Sequence, residues 1–295
     1  MRIGIGLPAG VPGTDVEVVG KWAAEAEARG FRSLGVIDRL VYDSLDPVVA
    51  LSFAAAETER IELVSTVLNT GYHRSPMVLA KQLASLERLS GGRLTVGLGM
   101  GAWPDDYNVT EVPMTGRGAA FEATIATFQR VWRGELSGAA GPVSALPDGR
   151  PGLLLAGMVP AGLSRAARLS DGWLAPAFSI DLLTGGTQAV RAEWERAGRP
   201  GNPRIVAVRY FGLGDGAQET AETYAEHYYG PEMFAQLRGD LITDAAKLAT
   251  EVAQIAAAGA DDLMLLPTSS SSDQVGMLAD ALDEVGWGDD SRSGE

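Results

Sequence analysis

The stretch RIGIGLPAGVPGTDVEVVGKWAAEAEARGFRSLGVID, residues 2–38, carries the pattern that decides the fold. Its apolar run at residues 3–7 predicts a strand, and the alanine-rich amphipathic stretch from Thr14 to Gly30 predicts a helix that ends at the glycine. Thr14 and the glutamate three residues later have the spacing of a capping box. A second strand is predicted at residues 33–38, so the stretch forms one β-α-β unit.

The same unit repeats along the rest of the chain. Six further strands are predicted at residues 61–67, 94–98, 153–156, 172–175, 205–211 and 263–266, and helical patterns separate them. Apolar strands enclosed between helices are typical of a parallel sheet that is covered on both faces. We therefore predict an α/β fold, a single (β/α)8 TIM barrel over residues 1–287 with a polar tail at 288–295. An open, doubly wound sheet is the alternative, because a strand count does not show closure.

The segment between the seventh and eighth strands is longer than one crossover needs. Two helical patterns, at residues 218–237 and 244–258, fill it, and we predict an insertion that acts as a lid. Its apolar side chains suggest an apolar or aromatic substrate, although packing on the barrel would explain them equally well. These side chains are Tyr224, Tyr228, Tyr229, Met233 and Phe234.

Composition excludes several classes of partner. The 38 acidic residues outnumber the 24 basic ones, and a formal charge of −14 repels nucleic acid and anionic lipid. The chain has no cysteine and two histidines, which leaves no disulfide or thiolate chemistry and makes a transition-metal site unexpected. No signal-peptide pattern follows Arg2 and no apolar stretch is long enough to span a bilayer, so we expect a cytoplasmic protein without a membrane partner.

In a parallel barrel the active site forms from the loops that follow the strands. The candidates after the second and third strands are Asp38, Tyr72 and His73. Asp38 would otherwise cap a helix or pair with Arg39, and His73 would otherwise hydrogen-bond a neighbouring loop. The candidates after the fourth strand are glycines, which let a planar ring approach the backbone, together with the methionine between them: Gly99, Met100 and Gly101.

The turn after the fifth strand has a different character. Gly157, Met158 and Val159 precede a helix, where backbone N–H groups and the helix dipole can hold a phosphate. Arg165 follows one turn into that helix and could meet either a phosphate or a carboxylate.

A dinucleotide-binding fold is not supported, although Gly4, Gly6 and Ala9 fit G-x-G-x-x-A. That motif requires the helix to open at the second glycine, so that its N-terminus faces the pyrophosphate. Here Pro8 and Pro12 delay the helix to residue 14. No nicotinamide-binding segment is therefore predicted.

Residues 76–101, PMVLAKQLASLERLSGGRLTVGLGMG, follow the pattern P-x-x-L-A-K, L-D-x-L-S-x-G-R, G-x-G-x-G, with Glu87 in place of the aspartate. In this stretch the chain resembles the bacterial luciferase-like monooxygenases, (β/α)8 enzymes that depend on a flavin or a deazaflavin. Trp103 with the residues around it, and the Asp171-Gly172-Trp173 triplet, extend the resemblance over nearly the whole chain.

The resemblance implies a cofactor ring across the barrel mouth, at the ends of the second to fourth strands. Family members line this ring at the positions of Asp38, Thr66, Asn69, Gly99 and Gly101, and they hold the phosphate at the positions of Gly157, Met158 and Val159. Two departures matter. The phosphate turn lacks the serines that relatives often carry, so its grip must come from backbone N–H groups, and Arg39 stands where relatives often have a histidine.

The resemblance thus implies a flavin-dependent monooxygenase that uses reduced FMN and O2 to oxygenate a small, apolar or aromatic molecule. We expect a separate flavin reductase to supply the cofactor, and His73 or Tyr72 to manage one proton. A coenzyme F420-dependent oxidoreductase that transfers a hydride is the first alternative, and a flavin-binding barrel without catalysis is the second. A homodimer is included among the expected partners.

Overall fold

A computed structural model of the chain describes residues 1–146 and 149–286, and eight parallel strands form its centre. Each strand pairs with its neighbours in the order β3-β2-β1-β8-β7-β6-β5-β4, and pairing of Leu63 with Leu94 between β3 and β4 closes the ring. This confirms the (β/α)8 barrel and excludes the open sheet. The strands are β1 (Arg2–Gly6), β2 (Ser33–Val36), β3 (Glu62–Ser65), β4 (Leu94–Gly99), β5 (Gly152–Ala156), β6 (Gly172–Leu174), β7 (Arg204–Phe211) and β8 (Asp262–Pro267).

Helices surround the strands, and the bounds of the crossover helices lie within a few residues of those predicted. One short helix, α4, was not predicted, because Pro104 and two aspartates precede its few apolar residues. The helices of the described ranges are α1 (Val16–Ala28), α2 (Pro47–Ala56), α3 (Pro76–Leu89), α4 (Pro104–Thr110), α5 (Arg117–Trp132), α6 (Pro160–Leu169), α7 (Ile180–Arg196), α8 (Ala217–Tyr229), α9 (Pro231–Leu237), α10 (Ala245–Ala257) and α11 (Asp273–Glu284).

The predicted capping residue of the first helix is wrong by one position. The Thr14 hydroxyl donates to the carbonyl of Pro8 at 2.9 Å and to that of Val11 at 2.6 Å, so it is occupied by the preceding loop. Asp15 caps α1 instead, and its carboxylate accepts the Glu17 N–H at 3.0 Å. A charged cap at a helix N-terminus also interacts favourably with the helix dipole.

The alternation of side chains along the strands divides the core into two layers. On β7, Ile205 and Ala207 pack outward against the helices, whereas Val206 and Val208 fill the barrel interior. Gly4 and Gly6 of the first strand have a packing role in this interior. A Cβ on Gly4 would lie 2.9 Å from the Met264 methyl group and closer still to Ser33, so the glycine makes room for the neighbouring strands.

Between β7 and β8 the chain forms α8 and α9, followed by α10. The helical pattern predicted at 218–237 is two helices, because Gly230 takes φ +76° and ends the first. Within residues 1–146 and 149–286, no helix has the length and apolar character needed to cross a membrane. The predicted tail, 288–295, lies outside the described residues.

Candidate active site

A cavity opens at the carboxyl ends of the strands, where the sequence places the active site. The loops after β2, β3, β4 and β6 contribute to its wall, together with the insertion after β7. Its walls are mainly apolar and aromatic. The lining residues used below are Asp38, Thr66, Asn69, Trp103, Phe178, Tyr210, Tyr228, Tyr229 and Met233.

Asp38 is the carboxylate of this cavity, and its position is fixed by the loop after β3. It lies two residues beyond the end of β2 and is 6% exposed. Its Oδ2 accepts the Asn69 backbone N–H at 2.7 Å, and the Asn69 side-chain amide donates to the Asp38 carbonyl at 2.7 Å. Neither structural alternative applies, since Asp38 does not cap a helix and Arg39 pairs with Asp105.

Burial controls the electrostatics of this carboxyl. Removal from water raises the pKa of Asp38 to about 7, although hydrogen bonds from the Tyr72 hydroxyl and the Asn69 N–H oppose the shift. Burial and the adjacent Asp38 in turn raise the pKa of Tyr72, so its phenol keeps its proton. Asp38 can therefore take up or release a proton near neutral pH, while Tyr72 remains a hydrogen-bond donor.

The loop after β3 brings Thr66 and Asn69 to the cavity. The Thr66–Val67 peptide is cis, and the Thr66 hydroxyl donates to the Val36 carbonyl at 3.0 Å. The chain then pairs briefly with β4 over Leu68–Asn69. Gly99 faces this loop, where an added Cβ would lie 2.8 Å from a Val67 methyl group, so glycine is required for the close approach.

The structure separates the predicted proton carriers. Tyr72 contacts the Asp38 carboxyl, whereas His73 lines a different cavity and its ring stacks on Tyr72 with centroids 5.0 Å apart. Gly101 takes φ +84°, and the Met100 carbonyl accepts the Tyr107 hydroxyl, so these two residues shape the loop after β4.

The predicted phosphate turn lies at the start of α6, directly after Ala156, which lines the cavity. Val159 is the N-cap of this helix and makes no side-chain cap. Pro160 has no N–H and the Gly162 N–H donates to the Val159 carbonyl at 2.7 Å, so the Ala161 N–H is the one in the first turn that lacks a capping side chain. Gly157 and Met158 precede it. Arg165 binds the Glu122 carboxylate through its Nε at 3.0 Å, so the carboxylate partner is the one present in the structure.

Arg39 joins three parts of the cavity wall. Its guanidinium lies 4.4 Å from the centroid of the Trp103 ring, binds Asp105 at 3.0 Å and donates to the Tyr228 carbonyl. The loop after β2, the loop after β4 and the end of α8 are thus held together by one side chain.

The sequence-based candidates omitted two aromatic residues of the cavity. Tyr210 points inward from β7, and its hydroxyl is 2.9 Å from that of Tyr229. The alternation that directs Val206 and Val208 inward would also have identified Tyr210. Phe178 lies in the loop after β6, where no periodic pattern gave a signal.

These residues suit a flat, amphipathic ring. Asp38, Thr66 and Asn69 place one carboxyl, one hydroxyl and one amide group on one side of the cavity, while Trp103 and Phe178 provide apolar walls. A flavin-type ring has hydrogen-bonding edges and apolar faces, so this set of side chains fits it.

A model of the luciferase-like monooxygenases matches residues 1–283. The chain belongs to that family. This confirms the resemblance found in the sequence and the prediction of an oxidoreductase of this family.

Similar proteins include an uncharacterised protein and an F420-dependent enzyme. The chain is 31% identical over 175 residues to an uncharacterised protein of Mycobacterium tuberculosis (strain ATCC 25618 / H37Rv), which covers 56% of this chain and 61% of that protein. It is 31% identical over 173 residues to the F420-dependent glucose-6-phosphate dehydrogenase of Beutenbergia cavernae, covering 50% of this chain and 49% of the enzyme. The matches thus span about half to three fifths of the length of these two relatives.

Solved structures share the fold over almost the whole chain. The monooxygenase RslO1 from Streptomyces bottropensis has a TM-score of 0.78 at 23% identity, with 96% of this chain and 99% of that chain covered. An F420-dependent secondary alcohol dehydrogenase has a TM-score of 0.80 at 18% identity, with 97% and 98% covered. The solved relatives thus include a monooxygenase and an F420-dependent enzyme, and the comparisons do not choose between a flavin and a deazaflavin.

Proposed function

We propose that the protein is a flavin-dependent monooxygenase that uses reduced FMN and O2 to oxygenate a small, apolar or aromatic organic molecule. The observation that carries this proposal is the buried Asp38 carboxyl, with a pKa of about 7, inside a cavity walled by aromatic side chains. Such a cavity excludes water and provides one group that can exchange a proton at neutral pH.

The chain would bind the cofactor at both of its ends. Thr66 and Asn69 lie at the side of the cavity that offers hydrogen bonds to a ring edge. The N–H groups at Gly157, Met158 and Val159 would hold the phosphate at the start of α6. When bound, reduced FMN supplies the two electrons with which one atom of O2 enters the substrate and the other leaves as water.

The proton would be handled by Asp38 with Tyr72 as its positioning partner. Asp38 keeps Oδ2 on the Asn69 N–H, and the Tyr72 hydroxyl donates to the same carboxyl. Trp103, Tyr228 and Phe178 would keep water from the reacting atoms. The sequence predicted that His73 or Tyr72 carries the proton. The His73 ring contacts this pair by stacking on Tyr72, so in this proposal His73 acts on the proton through Tyr72 and not directly.

A second candidate is a hydride transfer that depends on coenzyme F420. It is favoured by the similarity to the Beutenbergia cavernae enzyme, whose name states that cofactor. Asp38 and the apolar cavity serve this reaction equally well, because it also moves one proton for each hydride. The separate flavin reductase belongs to the FMN proposal alone, and the homodimer and the cytoplasmic location stay predictions.

An anaerobic titration followed by stopped-flow mixing with oxygen tests the proposal. We expect the protein to bind reduced FMN and to alter the course of its reoxidation relative to the free cofactor. The rate should change with pH around 7, and Asp38→Asn should remove that dependence. Asp280→Asn is the matched control, because this carboxylate is 70% exposed on α11 and pairs only with Arg29 in the described part of the chain.

Two outcomes would count against the FMN proposal. If reduced FMN does not bind, or reoxidises in the presence of the protein as it does in free solution, the monooxygenase reaction is refuted. If coenzyme F420 then binds and FMN does not, the second candidate replaces it.

A further inference from the structure

A second cavity, of about 340 Å³, lies between the loop after β3 and the first turns of α5. It is a neighbour of the ring cavity along the chain, because Asn69 lines one and Thr70 lines the other. Arg117, at the start of α5, also lines it and donates to the Gly101 carbonyl at 2.9 Å. The proposed activity assigns no role to this cavity.

The side chains of this cavity are basic in a chain that is strongly acidic overall. Arg74, Arg117 and His73 line it, and none of the described residues that line it carries a carboxylate; outside the lining, Glu111 lies 3.1 Å from Arg74 and Asp46 acts electrostatically on His73. The whole chain has a formal charge of −14, so a cluster of three basic side chains differs from the acidic composition of the chain as a whole. Burial lowers the pKa of His73, so its imidazole is neutral near pH 7 and the two arginines provide the positive charge that attracts an anion. The cavity also offers three hydroxyl groups, from Thr70, Thr115 and Thr124.

Several of these donors are not used by the protein. Arg74 binds the Thr110 carbonyl and the Glu111 carboxylate through Nε and Nη2, which leaves Nη1 without a partner in the described ranges. The His73 ring stacks on Tyr72, and in the same ranges its nitrogens make no hydrogen bond. Guanidinium and imidazole N–H donors that line one cavity can bind an oxyanion, and the Arg74 side chain is 64% exposed, so an ion can enter from solvent on that side.

We propose that this second cavity binds an oxyanion, a phosphate or carboxylate group, through Arg117, Arg74 and His73. Val112, Pro113 and Phe121 add an apolar side that would accept a carbon stem attached to that group. This site is distinct from the ring cavity, and the inference does not depend on the proposed redox reaction.

Oxyanion binding can be followed through the NMR signals of the two histidines of the chain. His73 lines the cavity, whereas His227 lies on α8, where its Nδ1 is 2.9 Å from the Tyr42 hydroxyl. Titration of the flavin-free protein with inorganic phosphate, and separately with glutarate at constant ionic strength, would be followed through both imidazole NMR signals. We expect a saturable shift of the His73 signal and an unchanged His227 signal.

Matched arginine variants test the ligands. Arg117→Gln should weaken phosphate binding by about tenfold, the usual cost of losing one charged hydrogen-bonding partner. Arg60→Gln, at a side chain that is 74% exposed on the barrel exterior, should leave the affinity unchanged. Arg74→Gln repeats the test in case the first variant fails to fold, which circular dichroism would reveal.

Riboflavin and FMN then distinguish the sources of the oxyanion, because they share one ring and differ by a phosphate. Displacement of free phosphate by FMN but not by riboflavin would assign the cavity to the phosphate of the cofactor and would overturn its placement at the start of α6. Retention of phosphate in the presence of FMN would assign it to a separate ligand.

The inference is overturned if neither phosphate nor glutarate shifts the His73 signal in folded protein, or if His227 shifts equally. Ring binding is measured separately, by flavin fluorescence. Failure of the oxyanion site can therefore be distinguished from failure of the proposed activity.

Discussion

Replacement of Asp38 by asparagine should change how stability depends on pH. Burial raises the pKa of this carboxyl from 3.8 to about 7, so between these values the folded protein holds a proton that the unfolded chain has released. Stability from this group is therefore greatest at acid pH and is lost as the pH rises from about 4 to about 7. At about 1.4 kcal/mol for each pH unit, the loss between pH 5 and pH 8 is about 2–3 kcal/mol.

Urea unfolding of the wild type, Asp38→Asn and Asp280→Asn at pH 5 and pH 8 measures this effect. The amide has no charge to bury, so the wild type should lose about 2–3 kcal/mol relative to Asp38→Asn between the two pH values. Both histidines are present in all three proteins, so their titration cancels in the comparison. Asp280→Asn should follow the wild type. Equal pH slopes for the wild type and Asp38→Asn, within about 0.5 kcal/mol, would refute a carboxyl that is protonated because it is buried.

Two further substitutions test the walls of the barrel mouth by denaturant unfolding. Arg39→Gln should lower the free energy of unfolding by about 1–3 kcal/mol, because it removes a side chain that is 13% exposed together with its bonds to Asp105 and to the Tyr228 carbonyl, whereas the exposed Arg60→Gln should lower it by less than about 0.5 kcal/mol. Gly97→Ala should cost about 1–3 kcal/mol or more, since its Cβ would lie 2.1 Å from a backbone oxygen of β3. At Gly138 nothing lies within 4 Å of an added Cβ, so Gly138→Ala should change stability by less than about 0.5 kcal/mol; equal losses in either pair would contradict the packing argument.

The sequence predicted the barrel because its signals are local. Each strand is an apolar run, and each crossover helix has its own periodic pattern, so eight β-α units could be counted without knowing any contact between them. The break at Gly230 was missed because the apolar pattern continues across it. The Gly230-Pro231 pair was the local signal, since glycine commonly ends a helix and proline commonly occupies the first position of the next.

The site was only partly predictable, because its properties depend on contacts between distant residues. The position of Asp38 after a strand marked it as a candidate, but its raised pKa comes from burial, and a loop 31 residues away holds the carboxylate in place while its N–H opposes the shift. His73 adjoins Tyr72 in sequence, yet the two side chains line different environments. Sequence position thus predicted which loops meet at the barrel mouth, and not which side chains face the same cavity.

Position 39 carries an arginine where the family resemblance led us to expect a histidine. This difference affects how the part of the site next to Asp38 can work. Arginine is a fixed cation, and two of the three guanidinium nitrogens here are bound, Nη2 to Asp105 and Nη1 to the Tyr228 carbonyl. It therefore stabilises the cavity wall and leaves proton exchange to a neighbouring group. Asp38 adjoins it in sequence and has a pKa of about 7, which an exposed carboxyl would not have. Two neighbouring residues therefore have separate tasks. Arg39 holds the cavity wall together, and the buried Asp38 exchanges the proton.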